Sequence, residues 1–575
     1  MANSTTPLLA DQHRDSDSED ISSRQPPTTQ SGRSWPSKLR EVLLFAWALL
    51  ASAGILVLAV WASHKQQTDL NKPAGKRNLI FMVSDGMGPA SLSLTRSFRQ
   101  HTEGLEYGDI LTLDKHFWGS SRTRSSSSLV TDSAAGATAF SCAQKSYNGA
   151  ISMLPGYTPC GTVLEAAKKA GYITGLVVTT DITDATPACF ASHVNYRLQQ
   201  DEIALQEIGQ GPLDRVVDLM LGGGRCHFLP NTTEGGCRQD DIDVIELAQK
   251  EYGWNYIGDR PAFDEFWEGK KEIPLPMLGL FAPTDIPFEL DRRNMNDIYP
   301  SLSEMAKTAL RALEKATEKS DKGFFLMIEG SRIDHAGHGN DPSAQVREVL
   351  EYDKAFKAVL DFLDESKTEG ILVATSDHET GGLSVARQTN ENYPQYLWYP
   401  QVLANASASS EHLARRLWKH IAKSSASSST EKLKTYINEE LVIPGLGILD
   451  ASDTELAAVA ARPDLAQPAF AEMVSVRAQI GWSTHGHSAV DVNVYSSGGP
   501  GTDALRGNVE NTDVGKFLRE YLAVDVDAVT RELNEKMGKS TRTAQQGESS
   551  GDDAASGEHW RAHEAAEYRR ITGSK

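Results

Sequence analysis

Four groups able to bind a metal or move a proton fall within ten residues of one another: Glu329, Asp334, His335 and His338. They follow the apolar run Phe324-Phe-Leu-Met-Ile328, which reads as a fully buried strand. A carboxylate at the carboxyl end of such a strand points into the crevice where open α/β sheets bind ligands. Asp334 and His338 are spaced so that a helical turn puts both on one face, able to chelate one ion.

Other apolar runs end the same way. Leu79–Val83 leads into Asp85, Tyr172–Val178 into Asp184 and Thr186, and Ile371–Ala374 into Asp377-His378; His485-Gly-His487 lies further on. Carboxylates gathered at one rim repel strongly unless cations neutralise them. Mixed Asp/His sets suit zinc, while an all-oxygen set such as Asp85, Thr186 and Glu329 suits magnesium. The sum points to a multi-metal hydrolytic centre; a structural zinc is the plainer alternative. A nucleophile is available in Val130-Thr-Asp-Ser-Ala-Ala-Gly-Ala-Thr-Ala139, where Asp132 or Thr131 can cap a helix opened by Ser133. There the free backbone N–H groups and the helix dipole favour a phosphoryl group, although taken alone Ser133 reads as a capping residue.

These residues need elements to hold them. From Arg77 onward, apolar strands alternate with helical patterns such as Thr162–Ala170 and Val346–Glu365, the signature of a mostly parallel sheet covered on both faces. Residues 385–480 break that rhythm with Ala- and Ser-rich helical sequence, including Glu411–Ala422, and read as an insertion, either a lid or a dimer-facing subdomain. The expected architecture is an α/β three-layer sandwich with this helical insertion.

The termini differ in kind. Residues 1–41 are polar and read as a disordered cytosolic tail. Val42–Ser63 then runs without a charge, roughly 33 Å as a helix and enough to cross a ~30 Å hydrocarbon core. We expect a transmembrane anchor, a stalk over 64–76, a catalytic body over 77–535 and a flexible polar tail over 536–575. The sequons Asn231-Thr-Thr and Asn405-Ala-Ser favour a body on the lumenal side. Five cysteines lack a C-x-x-C spacing, which argues against a thiolate zinc site; Cys226 and Cys237 are close enough to clip a small loop. A net charge of −20 speaks against nucleic acid as a partner.

Taken together and in order, Asp132-Ser-Ala-Ala, Tyr147-Asn-Gly-Ala150, Asp184-Ala-Thr-Pro187, Glu329-Gly-Ser-Arg-Ile-Asp334 and Ser376-Asp-His378 resemble the motifs of the metal-dependent alkaline phosphatases. With its N-terminal anchor, the chain is most similar to fungal vacuolar members of that family. The resemblance implies an alkaline-phosphatase-like fold, a homodimer, two zinc ions and one magnesium ion per chain, and phosphate monoesters of broad type as substrates. It makes Ser133 the nucleophile and Arg197 the phosphoryl clamp. Asp334, His338 and a C-terminal histidine would hold one zinc. Asp85, Asp377 and His378 would hold the other, and Thr186 and Glu329 would bind magnesium beside Asp85. Asp184 would act on the magnesium through water, and His335 would meet phosphate indirectly. Either His485 or His487 could complete the first zinc; the family's spacing to Asp491–Tyr495 favours His487. It also implies a single-pass anchor in the vacuole membrane with the catalytic body lumenal.

Overall fold

The computed structural model describes residues 37–70, 75–423 and 429–545, together with positions 569 and 572. Most of the expected N-terminal tail, and the C-terminal tail beyond 545 apart from those two positions, therefore lie outside the described residues. Ten strands build one sheet: β1 (Arg77–Val83), β2 (Phe117–Arg122), β3 (Ile173–Asp181), β4 (Leu219–Gly223), β5 (Asn255–Ile257), β6 (Met277–Leu280), β7 (Phe324–Glu329), β8 (Glu369–Thr375), β9 (Val492–Ser496) and β10 (Gly507–Glu510). Their order across the sheet is β10-β2-β9-β8-β1-β7-β3-β4-β6-β5. Only β9 runs against its neighbours β8 and β2; the other pairings are parallel.

The helices used below are α1 (Ser37–Leu70), α2 (Ser133–Cys142), α3 (Val163–Lys169), α4 (Ala185–Ala191), α5 (Gln200–Ile208), α6 (Leu302–Thr317), α7 (Arg332–His338), α8 (Pro342–Glu365), α9 (Ser410–Lys423), α10 (Asn511–Leu522) and α11 (Val526–Gln545). The central strands are apolar throughout because both faces are covered. Leu79, Phe81 and Val83 of β1 join Phe325 and Met327 of β7 in one core, closed by α3 and α10. Ile80 and Met82 join Leu326 and Ile328 in a second core on the opposite face, closed by α6 and α8. Each large side chain so buried stabilises the fold by about 1.5–3 kcal/mol relative to exposure. Helix α6 shows how the sequence encodes this. Its buried residues Leu302, Met305, Ala306, Ala309, Leu310 and Leu313 keep helical spacing. Ser301 caps it, accepting the Glu304 N–H while the Glu304 carboxylate accepts the Ser301 N–H.

Within the 385–480 stretch the described residues from Pro400 onward are mostly helical, and 385–399 hold no helix. The stretch builds a core of Leu413, Leu417, Trp418, Leu441 and Phe470, into which the body contributes Leu94, Phe98 and Val346. Two disulfides form among the described residues, the expected Cys226–Cys237 and also Cys142–Cys160, whose pairing spacing alone did not indicate. Cys189 stays a buried thiol, which burial pushes up to about 12.

Helix α1 contains Glu41–Leu58, a window long and apolar enough to cross a membrane. The helix continues past Ser63 to Leu70, because no proline intervenes before Pro73; the stretch read as a stalk begins as helix. At the other end α11 runs to Gln545, so the segment read as a flexible tail from 536 also starts as helix. Lys536, Met537, Lys539, Arg542, Ala544 and Gln545, all good helix formers, support that continuation.

One buried group in the fold is poorly matched to its surroundings. Glu207, near the end of α5, is fully buried, and neither carboxylate oxygen has a hydrogen-bond partner among the described residues. Burial pushes it well above the ordinary carboxylate range. A carboxyl raised in the folded state contributes no penalty below its unfolded pKa and costs stability as pH rises towards the folded value. Glu207→Gln should therefore melt close to wild type at about pH 5 and at least about 2 °C higher at about pH 9. Differential scanning calorimetry at the two pH values checks it; equal shifts at both would contradict the neutral-acid account.

Candidate active site

The loops after β1, β3, β7 and β8 open on the same edge of the sheet. Asp85 enters from β1 through a turn in which Gly86 has φ of +75°; a Cβ there would lie 2.6 Å from Asp334 Cα. Only glycine lets this turn seat against α7. Ser376, after β8, locks two of the loops together, accepting the Met87 N–H at 3.0 Å and donating to the His378 carbonyl at 2.7 Å.

Two groups of ligand-type atoms result. In the first, Asp334 lies 3.3 Å from His338 Nε2 and 3.6 Å from His487 Nε2, and the two Nε2 atoms are 3.2 Å apart. His487 Nδ1 is 2.8 Å from the Thr131 carbonyl, and His338 Nδ1 meets the His485 carbonyl. A carbonyl can only accept, so both Nδ1 atoms carry protons, and both Nε2 atoms face each other and a carboxylate, where a shared proton or a cation satisfies all three. That is a cation site in its donor chemistry. Burial holds His487 down to about 4. Burial also opposes a charge on His338, but Asp334 outweighs it and lifts that ring above its ordinary value. The carboxylate asks for positive charge at this point.

In the second group, His378 Nε2 lies 3.2 Å from Asp377 Oδ2 and 3.4 Å from Asp85 Oδ1. Both carboxylate oxygens are buried without hydrogen-bond partners among the described residues. The other ring nitrogen of His378 meets Thr380 Oγ1 at 3.1 Å, and the Thr380 hydroxyl donates to Asp334, joining the two groups. Burial, followed by Asp377, Asp334 and Glu329, pushes Asp85 well above the carboxylate range. Asp377 is pushed up to about 7 and Glu329 to about 8, in both cases chiefly by burial. Carboxylates so crowded fit cations bound among them. Thr186 Oγ1, in the first turn of α4, is likewise buried, with no hydrogen-bond partner among the described residues.

Ser133 opens α2 with its Oγ 3.1 Å from His378 Nε2. Asp132 is the N-cap, with Oδ1 accepting the Ala135 N–H at 3.0 Å; its Oδ2 accepts the Gly149 N–H at 2.8 Å and faces Arg197 Nη1 at 3.5 Å. Arg197 also meets Asp184 at 2.9 Å. Burial would raise Asp184, yet Arg197 and then His335 hold it below the usual carboxylate range.

The structure thus brings together Asp85, Ser133, Asp334, His338, Asp377, His378 and His487, with Asp184, Thr186, Arg197, Glu329 and His335 around them. His485 turns away, its Nδ1 2.8 Å from the His338 carbonyl. Asn231 and Asn405 are exposed, far in sequence from every one of these loops. Sequence reading missed three contributors, and a second role of Asp132, which it named as a helix cap. Asp132 braces Arg197 as well as capping α2, Thr380 bridges the two histidine groups, and Gly136 admits Asp377. Asp285, 3.1 Å from His335 Nδ1, follows β6 at the same sheet edge, so the rule that singled out Asp85 would have found it.

Residues 76–524 match the family model described as alkaline phosphatase. The chain belongs to the alkaline phosphatase family, a family of metal-dependent phosphatases, and is an enzyme. It is 55% identical over 487 residues to the repressible alkaline phosphatase of Saccharomyces cerevisiae, covering 82% of this chain and 83% of that one. Among solved structures it is similar to the alkaline phosphatase of Thermus thermophilus, with a TM-score of 0.65 and 28% identity, over 78% of this chain and 92% of that one. A variant of the alkaline phosphatase from the Antarctic bacterium TAB5, solved with Mg in its M3 site, aligns with a TM-score of 0.52 and 26% identity, over 79% of this chain and all of that one (100%).

Packing at Gly136 yields a test. A Cβ at this position in α2 would lie 2.8 Å from Asp377 Cβ. Gly136→Ala should favour the helix locally by about 1 kcal/mol but displace Asp377. The expected result is a kcat/KM for p-nitrophenyl phosphate lowered at least about tenfold without a lower melting temperature. Unchanged kcat/KM would show that Asp377 does not need its present place.

Proposed function

We propose that this enzyme hydrolyses phosphate monoesters of broad type through a phosphoserine on Ser133, at a site for two zinc ions and one magnesium ion per chain. The observation that carries the reading is the 3.1 Å approach of Ser133 Oγ to His378 Nε2 at the head of α2, among buried Asp85, Glu329, Asp334 and Asp377. Asp334, His338 and His487 would hold one zinc, and Asp85, Asp377 and His378 the other. Thr186 and Glu329, with Asp85, would hold magnesium, and Asp184 would reach it through water. When bound, the ions supply Lewis-acid stabilisation of attacking and leaving oxygens and neutralise the crowded carboxylates.

The chain's own residues do the rest. Free N–H groups and the dipole at the start of α2 favour the dianionic phosphoryl group beside Ser133. Arg197, held by Asp184 and Asp132, offers a planar fork for two non-bridging oxygens. Ser133 Oγ gives up its proton and forms its bond to phosphorus as the ester bond breaks, the leaving oxygen taking up a proton to depart as the alcohol; water then attacks the phosphoserine, releasing inorganic phosphate and returning a proton to Ser133 Oγ. His335, braced on Asp285 and facing Asp184, meets the phosphate indirectly. These groups grip the phosphoryl end alone, in keeping with broad specificity.

We further propose a homodimer anchored in the vacuole membrane by a single type II span, with a short cytosolic tail and the body in the lumen. The apolar window in α1, the exposed sequons at Asn231 and Asn405, and two disulfides support a non-cytosolic body. The similarity to the yeast repressible enzyme supports a fungal, vacuolar setting.

Elemental analysis of the detergent-solubilised enzyme should give two zincs and one magnesium per chain, with p-nitrophenyl phosphate hydrolysis lost to a chelator and regained with zinc. Ser133→Ala should keep all three ions and lose several powers of ten in turnover. Asp334→Ala should instead lose zinc, and a full complement in that variant would refute its assignment.

A further inference from the structure

Arg197 reaches the site from residues 192–199, a segment with no helix or extended strand of its own. Its backbone is registered on a neighbouring segment by three hydrogen bonds: Arg197 N–H to Gly149 O at 2.8 Å, Val194 N–H to Ile151 O at 3.2 Å, and Ile151 N–H to Val194 O at 3.1 Å. Gly149 is itself tied to Asp132, so this loop and the helix of Ser133 share one support. What fixes the near end of the loop is His193, only 3% exposed.

Hydrogen-bond accounting at His193 is restrictive. Nδ1 lies 3.2 Å from the Ser152 carbonyl, which can only accept, so Nδ1 carries a proton. Nε2 lies 2.7 Å from Glu165 Oε1, and Glu165 Oε2 accepts the Thr162 N–H at 2.8 Å. An imidazolium facing a carboxylate satisfies every one of these contacts. Burial opposes a charge on His193, but Glu165 outweighs it and holds the ring above its ordinary value. The His193 backbone N–H is bound too, to Gln206 Oε1 at 2.8 Å. Beside the pair lies a cavity of about 10 Å³, bounded also by Gln206 and Asp214, with room for one water at most. Bulk hydration therefore cannot replace either partner.

We propose that the buried His193–Glu165 pair is a positioning element for Arg197, setting the height of the 192–199 loop over α2 and hence where the guanidinium meets the phosphoryl oxygens. Neither residue touches the phosphoryl group. The pair reaches the chemistry only through the loop backbone, so its loss acts on phosphate binding more than on turnover. The inference rests on Arg197 being the phosphoryl clamp.

The test is a double-mutant cycle on the metal-loaded, full-length enzyme, read by the Ki for inorganic phosphate and by KM and kcat for p-nitrophenyl phosphate. Glu165→Gln, which is isosteric and uncharged, should raise Ki and KM about tenfold with kcat changed less than about threefold. In an Arg197→Ala background the same substitution should add nothing to Ki. An unchanged Ki for Glu165→Gln, or an equal rise in both backgrounds, would overturn the proposal. A merely structural pair would lower the melting temperature and leave the Ki of the folded enzyme at the wild-type value. If Glu165→Gln does not fold, His193→Gln reads the pair from its other side with the same outcomes. Arg197→Ala with a wild-type Ki would sink the clamp reading itself, a failure distinct from that of the pair.

Discussion

Crowding of buried carboxylates at one edge of the sheet is the constraint around which this molecule is built. Asp85, Glu329, Asp334 and Asp377 sit within a region that water scarcely reaches, where burial and the other three carboxylates push Asp85 well above its ordinary range while neighbouring histidines hold Asp334 well below it. A flexible scaffold would let them drift apart. Parallel strands prevent that, because they fix where each loop begins to within the register of the backbone ladder. Glycine then permits approaches that no other residue would allow, with Gly86 against Asp334 and Gly136 against Asp377. The like charges are thus held in place by apolar packing on both faces of the sheet, and cations bound among them would offset their repulsion.

Positive charge is placed with equal economy. Asp132 caps the helix of Ser133 with one oxygen and turns the other towards Gly149 and Arg197, so that helix and the segment carrying Arg197 are tied to one side chain. Asp184 takes the second end of the guanidinium. Further out, the fully buried Arg332 joins Glu411 of α9 at 2.6 Å and lies 3.3 Å from His335 Nδ1. Through that ion pair the helical insertion is tied to the helix that carries Asp334 and His338. Its core takes in Val346 of α8 as well, so the insertion is packed as part of the body.

Much of this was legible before any coordinates. The runs Leu79–Val83, Phe324–Ile328 and Ile371–Ala374 announce buried parallel strands by their unbroken hydrophobicity, and each is followed at once by a ligand-type residue. Asp132 ahead of an alanine-rich stretch announces a capped helix. These signals are local, and a chain reads them out through propensity and periodicity alone.

Tertiary structure alone decided the rest, for a physical reason: the deciding contacts join residues distant in sequence, and nothing in local spacing encodes their distance. The family resemblance favours His487 over His485 from spacing, but what turns its ring to Asp334 is the Thr131 carbonyl, more than 350 residues earlier. Cys142 pairs with Cys160 because α2 and the following loop bring them together, and a count of five cysteines could not say so. Asp285 follows β6 as Asp85 follows β1 and is open to the same rule, but only the fold sets it beside His335. By itself the sequence determined which residue types end the strands and open the helix of Ser133. The fold decided which of them meet, since hydrogen bonds, close packing and like-charge repulsion act over ångströms in space and are blind to separation along the chain.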